Sequence, residues 1–155
     1  MTPSAPAGNT FTVQIAAAGS VAIEADSLTD LVDGSLPNGS EACIQIRGQR
    51  KQVAGQVVIA GEIRLSCSSS DRPILQAPVE AEAGTTLTLI GLPVDVGFPT
   101  DGFRDVNDAP LNQTQFFSIV SPPTVNPAGI TVPGTLVKVV FDENTNAVRE
   151  VEIED

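Results

Sequence analysis

The stretch "TLVKVVFDENTNAVREVEIE", residues 135–154, decides how the chain is read. Set Val139 opposite Val151, and Val137 falls opposite Ile153. The same register puts Lys138 opposite Glu152 on the other face. Apolar match and charge match agree, and such agreement specifies a hairpin, because a slip of one residue would turn every side chain to the wrong face. "DENTN" supplies the turn.

Working outward, the same period recurs. Phe11, Val13 and Ile15 alternate with polar residues, and Val21 and Ile23 alternate again after Ala-Ala-Gly-Ser. Pairing Ile15 with Val21 predicts a hairpin with a five-residue loop. "ILQAPVEAEA" predicts an edge strand, since Pro78 lacks a backbone donor, and Leu87 and Leu89 mark the strand that follows. "FFSIV" reads as a short apolar strand, and "SPPTVNPAG" as an extended, polyproline-like connector. One helix is predicted over residues 26–34. Asp26 or Ser27 caps it, Leu28, Leu31 and Val32 share a face, and Gly34 stops it.

"CIQIRGQRKQVAGQVVIAGEIRLSC" spans Cys43 to Cys67, the only two cysteines. Read with a tight turn at Ala60-Gly61, it is a three-stranded meander. The two outer strands are then about 10 Å apart, at about 4.8 Å per step, beyond the reach of a disulfide. Read as one long hairpin folded at Gly55, it sets the cysteines opposite each other. Arg47, Arg50 and Lys51 form a basic turn that faces either an acidic partner or solvent.

The charge is uneven. Residues 1–46 carry −5, residues 47–72 carry +3 and residues 73–155 carry −9, within a net charge of −11. A duplex binder needs several phosphate-neutralising cations on one face, so no nucleic-acid partner is expected, and no anionic membrane surface either. His, Trp and Tyr are absent. That removes the His-based catalytic constellations and the imidazole metal ligands. Two cysteines without histidine cannot complete a four-ligand zinc site. Asp101, Asp105 and Asp108 gather in one loop, but their spacing fits no calcium loop. Neither an enzyme nor a cofactor or metal is expected. The start, "MTPSAPAGNT", has no secretory pattern, and no run is long enough for a membrane helix.

The expected architecture is all-β: a sandwich or open barrel of about eight to ten short strands, mostly hairpins, with one short helix and long irregular loops. Residues 1–9 form an extended arm, and residues 10–155 one β domain. Residues 93–115 lack periodicity, and a loop of that length is usually functional. The candidate interface comprises Pro3 and Pro6 of the arm, Arg47, Arg50 and Lys51, and Phe98 and Phe103 as exposed anchors. Missing catalytic side chains, low charge density and docking-type segments together point to a structural or assembly protein. Its partner is a protein shell or a further copy of itself, as for a bacteriophage capsid cement or decoration protein on a virion surface. The alternative is a surface adhesin-type or ligand-binding β-sandwich of a bacterial cell.

Overall fold

A computed structural model describes residues 9–15, 18–38, 44–50, 57–65 and 72–155; of residues 49, 50 and 57–59 it describes the backbone alone. The fold is all-β. Within the span read as one β domain, the chain clusters into two compact units, residues 1–14 with 20–71 and residues 15–19 with 72–155.

The first unit is built on β1 (Asn9–Ile15), β2 (Gly19–Ala25), β3 (Asp30–Leu31), β4 (Gln45–Arg50) and β5 (Val57–Arg64). β1 and β2 are neighbours, and β5 is the hub. Along one edge of β5 runs β4, antiparallel, from Gln45 opposite Arg64 to Arg50 opposite Val58. Along the other edge lie β2 and then β3, both parallel. Val21, Ile23, Ala25, Leu31, Ala60 and Ile63 are buried.

Two expectations fail here. Ala60-Gly61 is not a turn. β5 runs straight through it, and the register steps from Arg47↔Glu62 to Gly48↔Ala60, leaving Gly61 as the extra residue of a bulge. A glycine inside a strand marks a bulge as readily as a turn. The segment is therefore a two-stranded hairpin and not a meander. Cys43 and Cys67 lie outside the described residues.

The helix over 26–34 is also absent. Asp26 accepts a hydrogen bond from the Leu28 N–H at 2.8 Å, which is a local side-chain turn. Thr29, fully buried, takes the Asp26 N–H on its hydroxyl at 2.9 Å and donates that hydroxyl to the Ala60 carbonyl at 2.7 Å. The turn is thus pinned to β5, and the chain resumes as β3. Leu28, expected on the helix's apolar face, is 86 % exposed.

The second unit contains β6 (Ile74–Ala83), β7 (Thr86–Leu89), β8 (Leu92–Asp95), β9 (Gly102–Arg104), β10 (Pro110–Leu111), α1 (Gln113–Ile119), β11 (Thr124–Val125), β12 (Thr131–Val132), β13 (Leu136–Phe141) and β14 (Val148–Ile153). Seven of these strands form one sheet in the order β10-β9-β14-β13-β6-β7-β8. The terminal hairpin has the expected register: Val137↔Ile153, Lys138↔Glu152 and Val139↔Val151. Val137, Val139, Val151 and Ile153 are buried. Lys138 pairs with Glu152, and with Glu154 at 3.2 Å. The hydrogen bond to Glu152, set partly against the cost of burial, raises the Lys138 ammonium above its ordinary pKa. The register then shifts between Val140 and Phe141. At this irregularity the Arg149 carbonyl accepts from the Asp101 N–H at 2.6 Å, and its guanidinium pairs with the Asp101 carboxylate.

β6 is interior, contrary to the edge expected from Pro78. Its first half pairs with β13 and its second half with β7. The Val79 N–H donates to the Thr135 carbonyl on the β13 side. The Pro78 nitrogen therefore faces the other side, where pairing with β7 starts only at Val79, and its missing donor leaves no ladder position empty. β7 and β8 are joined by Ile90 and Gly91, with φ of 46° and 78°. Both are positive, as a two-residue hairpin turn of the I′ type requires. Ile90 is a β-branched residue in that strained region, and it packs against the core.

Residues 93–115 are not a structureless loop, since they contain β9 and β10 and lead into α1. "FFSIV" is mostly helix, not strand. Asn112 caps α1 by accepting from the Gln115 N–H, and the Gln115 side chain accepts from the Asn112 N–H, both at 2.9 Å. Phe116 is fully buried. Its ring lies 4.6 Å from that of Phe103 and 5.2 Å from that of Phe117.

Candidate functional site

Between α1 and β13 the chain makes a small ribbon, β11 paired with β12, with Thr124↔Val132 and Val125↔Thr131. The turn at its tip is braced by one side chain. Asn126 Oδ1 accepts from the Ala128 and Ile130 N–H groups, each at 3.0 Å. The Asn126 N–H donates to the Ile130 carbonyl, and Gly129, at φ +76°, donates to the Asn126 carbonyl, both at 2.9 Å. An Asx residue followed by a glycine in the left-handed region is the chemistry of a fixed turn.

The base is held just as firmly. The Thr135 N–H donates to the Ser121 carbonyl at 2.9 Å, and the Ser121 N–H donates to Thr135 Oγ1 at 3.0 Å. Gly134 sits so close to β6 that an added Cβ would lie 1.9 Å from the Val79 carbonyl oxygen. Only glycine fits there. The ribbon is therefore anchored at its base to the sheet and stiffened at its tip.

What it presents is apolar. Val125, Ile130 and Val132 are 68 %, 62 % and 45 % exposed. Pro123, Pro127 and Pro133 are also exposed. From Ala109 to Val137 no residue is charged, in a unit that is otherwise strongly acidic. Exposed apolar groups held in fixed geometry mark interaction surfaces more often than scattered ones do.

The other candidate residues divide. Phe98 is 91 % exposed, as expected of an anchor. Phe103 is a correction: it is buried, with its ring centroid 6.1 Å from that of Phe117 as well as close to Phe116. It belongs to the core because β9, short as it is, lies inside the sheet beside β14. Arg47 is exposed on β4 beside the bulge, and Arg50 ends β4. Pro3, Pro6 and Lys51 lie outside the described residues.

The acidic loop is structural. Asp101 pairs with Arg149, and Asp105 Oδ1 accepts from the Asn107 and Ala109 N–H groups at 2.8 and 2.9 Å. Asp108 lies 3.3 Å from Arg104, which also meets Glu150 at 2.8 Å. Among the described residues, no three acidic or cysteine side chains are grouped to hold a metal ion. A shallow depression beside α1 is lined by Asn112, Gln113, Thr114, Gln115 and Ser118. Asp95 accepts from the Gly97 N–H and from Thr85, and these bonds, in that order, hold its carboxyl below the ordinary carboxylate value. No helix among the described residues is long and apolar enough to cross a membrane.

No protein-family model matches the chain, and no curated protein or solved structure matches it either.

The ribbon escaped the sequence reading, which took "SPPTVNPAG" for a connector. Two signals were available: the uncharged run, and the tetrad Asn126-Pro127-Ala128-Gly129, which has turn chemistry.

Proposed function

We propose that this chain is a non-enzymatic structural protein that binds a protein shell, in the manner of bacteriophage capsid cement and decoration proteins, and that it is made in the host cytoplasm and resides on the virion surface. One observation carries the reading. A two-stranded ribbon, locked by Asn126 at its tip and by Gly134 and Thr135 at its base, holds Ile130 and Val132 in water. Ile130 and Val132 are two residues apart and share one ribbon face. A protein that decorates a shell must keep an apolar contact ready without burying it in its own core, and a fixed ribbon does so at low entropic cost. Phe98 supplies a second anchor of the aromatic type that dominates interface energetics.

Co-sedimentation with undecorated shells of the virus whose genome carries the gene tests the reading. The wild-type protein is expected to pellet with the shells, and Ile130→Glu with Val132→Glu is expected to abolish binding while leaving the unfolding midpoint in place. Shells that ignore the wild-type protein, or that bind the double variant equally well, would sink it. A gene set among non-virion genes would count against it as well.

A further inference from the structure

The two faces of the ribbon do not exhaust it. It also has two edges, and their hydrogen-bonding groups follow from the register. The Asn126 N–H donates to the Ile130 carbonyl, so residues 126 and 130 face each other across the ribbon. Hydrogen-bonded pairs alternate in an antiparallel ladder, so Thr124 and Val132 face inward too. The backbone groups of Val125 and Thr131 point outward.

On the β11 edge the outward positions are 123, 125 and 127. Two of them are prolines, Pro123 and Pro127, which have no N–H to give. Val125 is left as the single donor, with its carbonyl beside it, between two exposed apolar rings. On the β12 edge the outward positions are 129, 131 and 133. Gly129 already spends its N–H on Asn126 and Pro133 has none, so Thr131 is the one donor there, with an apolar ring on one side only.

An edge with one donor flanked by prolines is a poor template for a long strand, because neither flank can continue the ladder. It fits one geometry well. Two ribbons related by a two-fold axis bring Val125 against Val125 of a second copy. Each N–H donates to the other's carbonyl, and Pro123 of one copy lies across from Pro127 of the other. A second copy necessarily carries the same open edge, and two-fold contacts are the commonest closed symmetry. Charge selects the same place. Copies with a net charge of −11 repel one another over most of their surface. The run from Ala109 to Val137 carries no charge, so two copies can meet there without opposing carboxylates.

We infer that the β11 edge is a self-association site at which two copies of this chain pair through Val125, with the flanking prolines ending the ladder after that one residue. The site uses the ribbon's edge and leaves the face carrying Ile130 and Val132 free, so it stands apart from the shell-binding reading.

Sedimentation equilibrium of the full chain at low and at high salt tests it. A monomer–dimer equilibrium is expected, and the dimer should tighten as salt rises, since screening removes the repulsion and leaves the apolar contact. Val125→Pro deletes the outward donor but none of the ribbon's own bonds. It is expected to weaken the dimer by about ten-fold or more, the effect of losing the two symmetry-related hydrogen bonds, one from each copy. Val125→Glu, which puts a charge on the two-fold axis, is expected to abolish the dimer. Arg47→Glu should leave it unchanged. Circular dichroism and unfolding midpoints establish that each variant is folded. A wild-type protein that stays monomeric at every concentration and salt overturns the inference. So does a dimer that loosens with salt and disappears in Arg47→Glu, and so does a Val125→Pro variant that dimerises like the wild type.

Discussion

Residues 26–29 and residues 112–115 begin alike and end differently. Each opens on an Asx side chain that accepts a backbone N–H further on, and each closes with a side chain that takes the opening residue's own N–H. At Asn112 the result is a helix. At Asp26 it is a kink between two strands. The local chemistry is nearly the same, so the outcome is decided by what the following residues reach. After Asn112, Phe116 packs against the rings of Phe103 and Phe117. After Asp26, Leu28 points into water, and Thr29 hands its hydroxyl to β5. A short helix gains little from its own hydrogen bonds and stands only where one face is buried. Where a strand edge competes for the backbone, the same cap makes a turn instead.

That contrast can be broken at several points. The largest effect is expected at Phe116→Ala. It should cost about 3–5 kcal/mol, the range for emptying a buried aromatic site, in denaturant unfolding. A loss no greater than that of an exposed substitution would mean that burial does not hold α1. Next comes Thr29→Val, which keeps the shape but strands the Ala60 carbonyl and the Asp26 N–H. About 1–3 kcal/mol should be lost, and hydrogen exchange should rise at the turn. A neutral result would show that the hydroxyl does not pin the kink. Asn112→Ala should cost about 1 kcal/mol, and Asn112→Asp should restore most of it, since either side chain caps. Equal loss in both variants would remove capping as the cause. The smallest effect is expected at Leu28→Ser, within about 0.5 kcal/mol of zero, as for an exposed site without special contacts. A large loss there would revive a buried role for Leu28 and with it the helical reading of residues 26–34.

What was legible in the sequence follows the same division. The register of β13 and β14 could be read because both faces argue for it, one by burial and one by charge. The alternation of Val21 and Ile23 could be read because one face of β2 is buried. The parallel pairs, β2 and β3 on β5 and β9 on β14, could not, since a parallel ladder joins segments far apart and leaves no turn between them to recognise. Pro78 and Gly61 misled because each has two meanings in a strand, edge or half-covered interior for the one, turn or bulge for the other. Phe98 was recognisable as exposed from its Gly97 and Pro99 neighbours. Phe103, in similar company, was also read as exposed but is buried, because its partner Phe116 lies on a helix that the apolar run "FFSIV" disguised as a strand.

The position of β14 bears on how the molecule is made. β14 lies between β13 and β9, yet it leaves the ribosome after both. Until residues 148–153 emerge, β13 has β6 on one side and an unpaired row of backbone groups on the other, and β9 has β10 but no second neighbour. The middle of the sheet is the final piece to be laid in. A nascent chain stalled before Val148 therefore carries two open strand edges and uncovered valines, the combination most prone to pairing with another nascent chain. Closure also waits on a contact between residues about 50 positions apart, which makes it a slow step of folding.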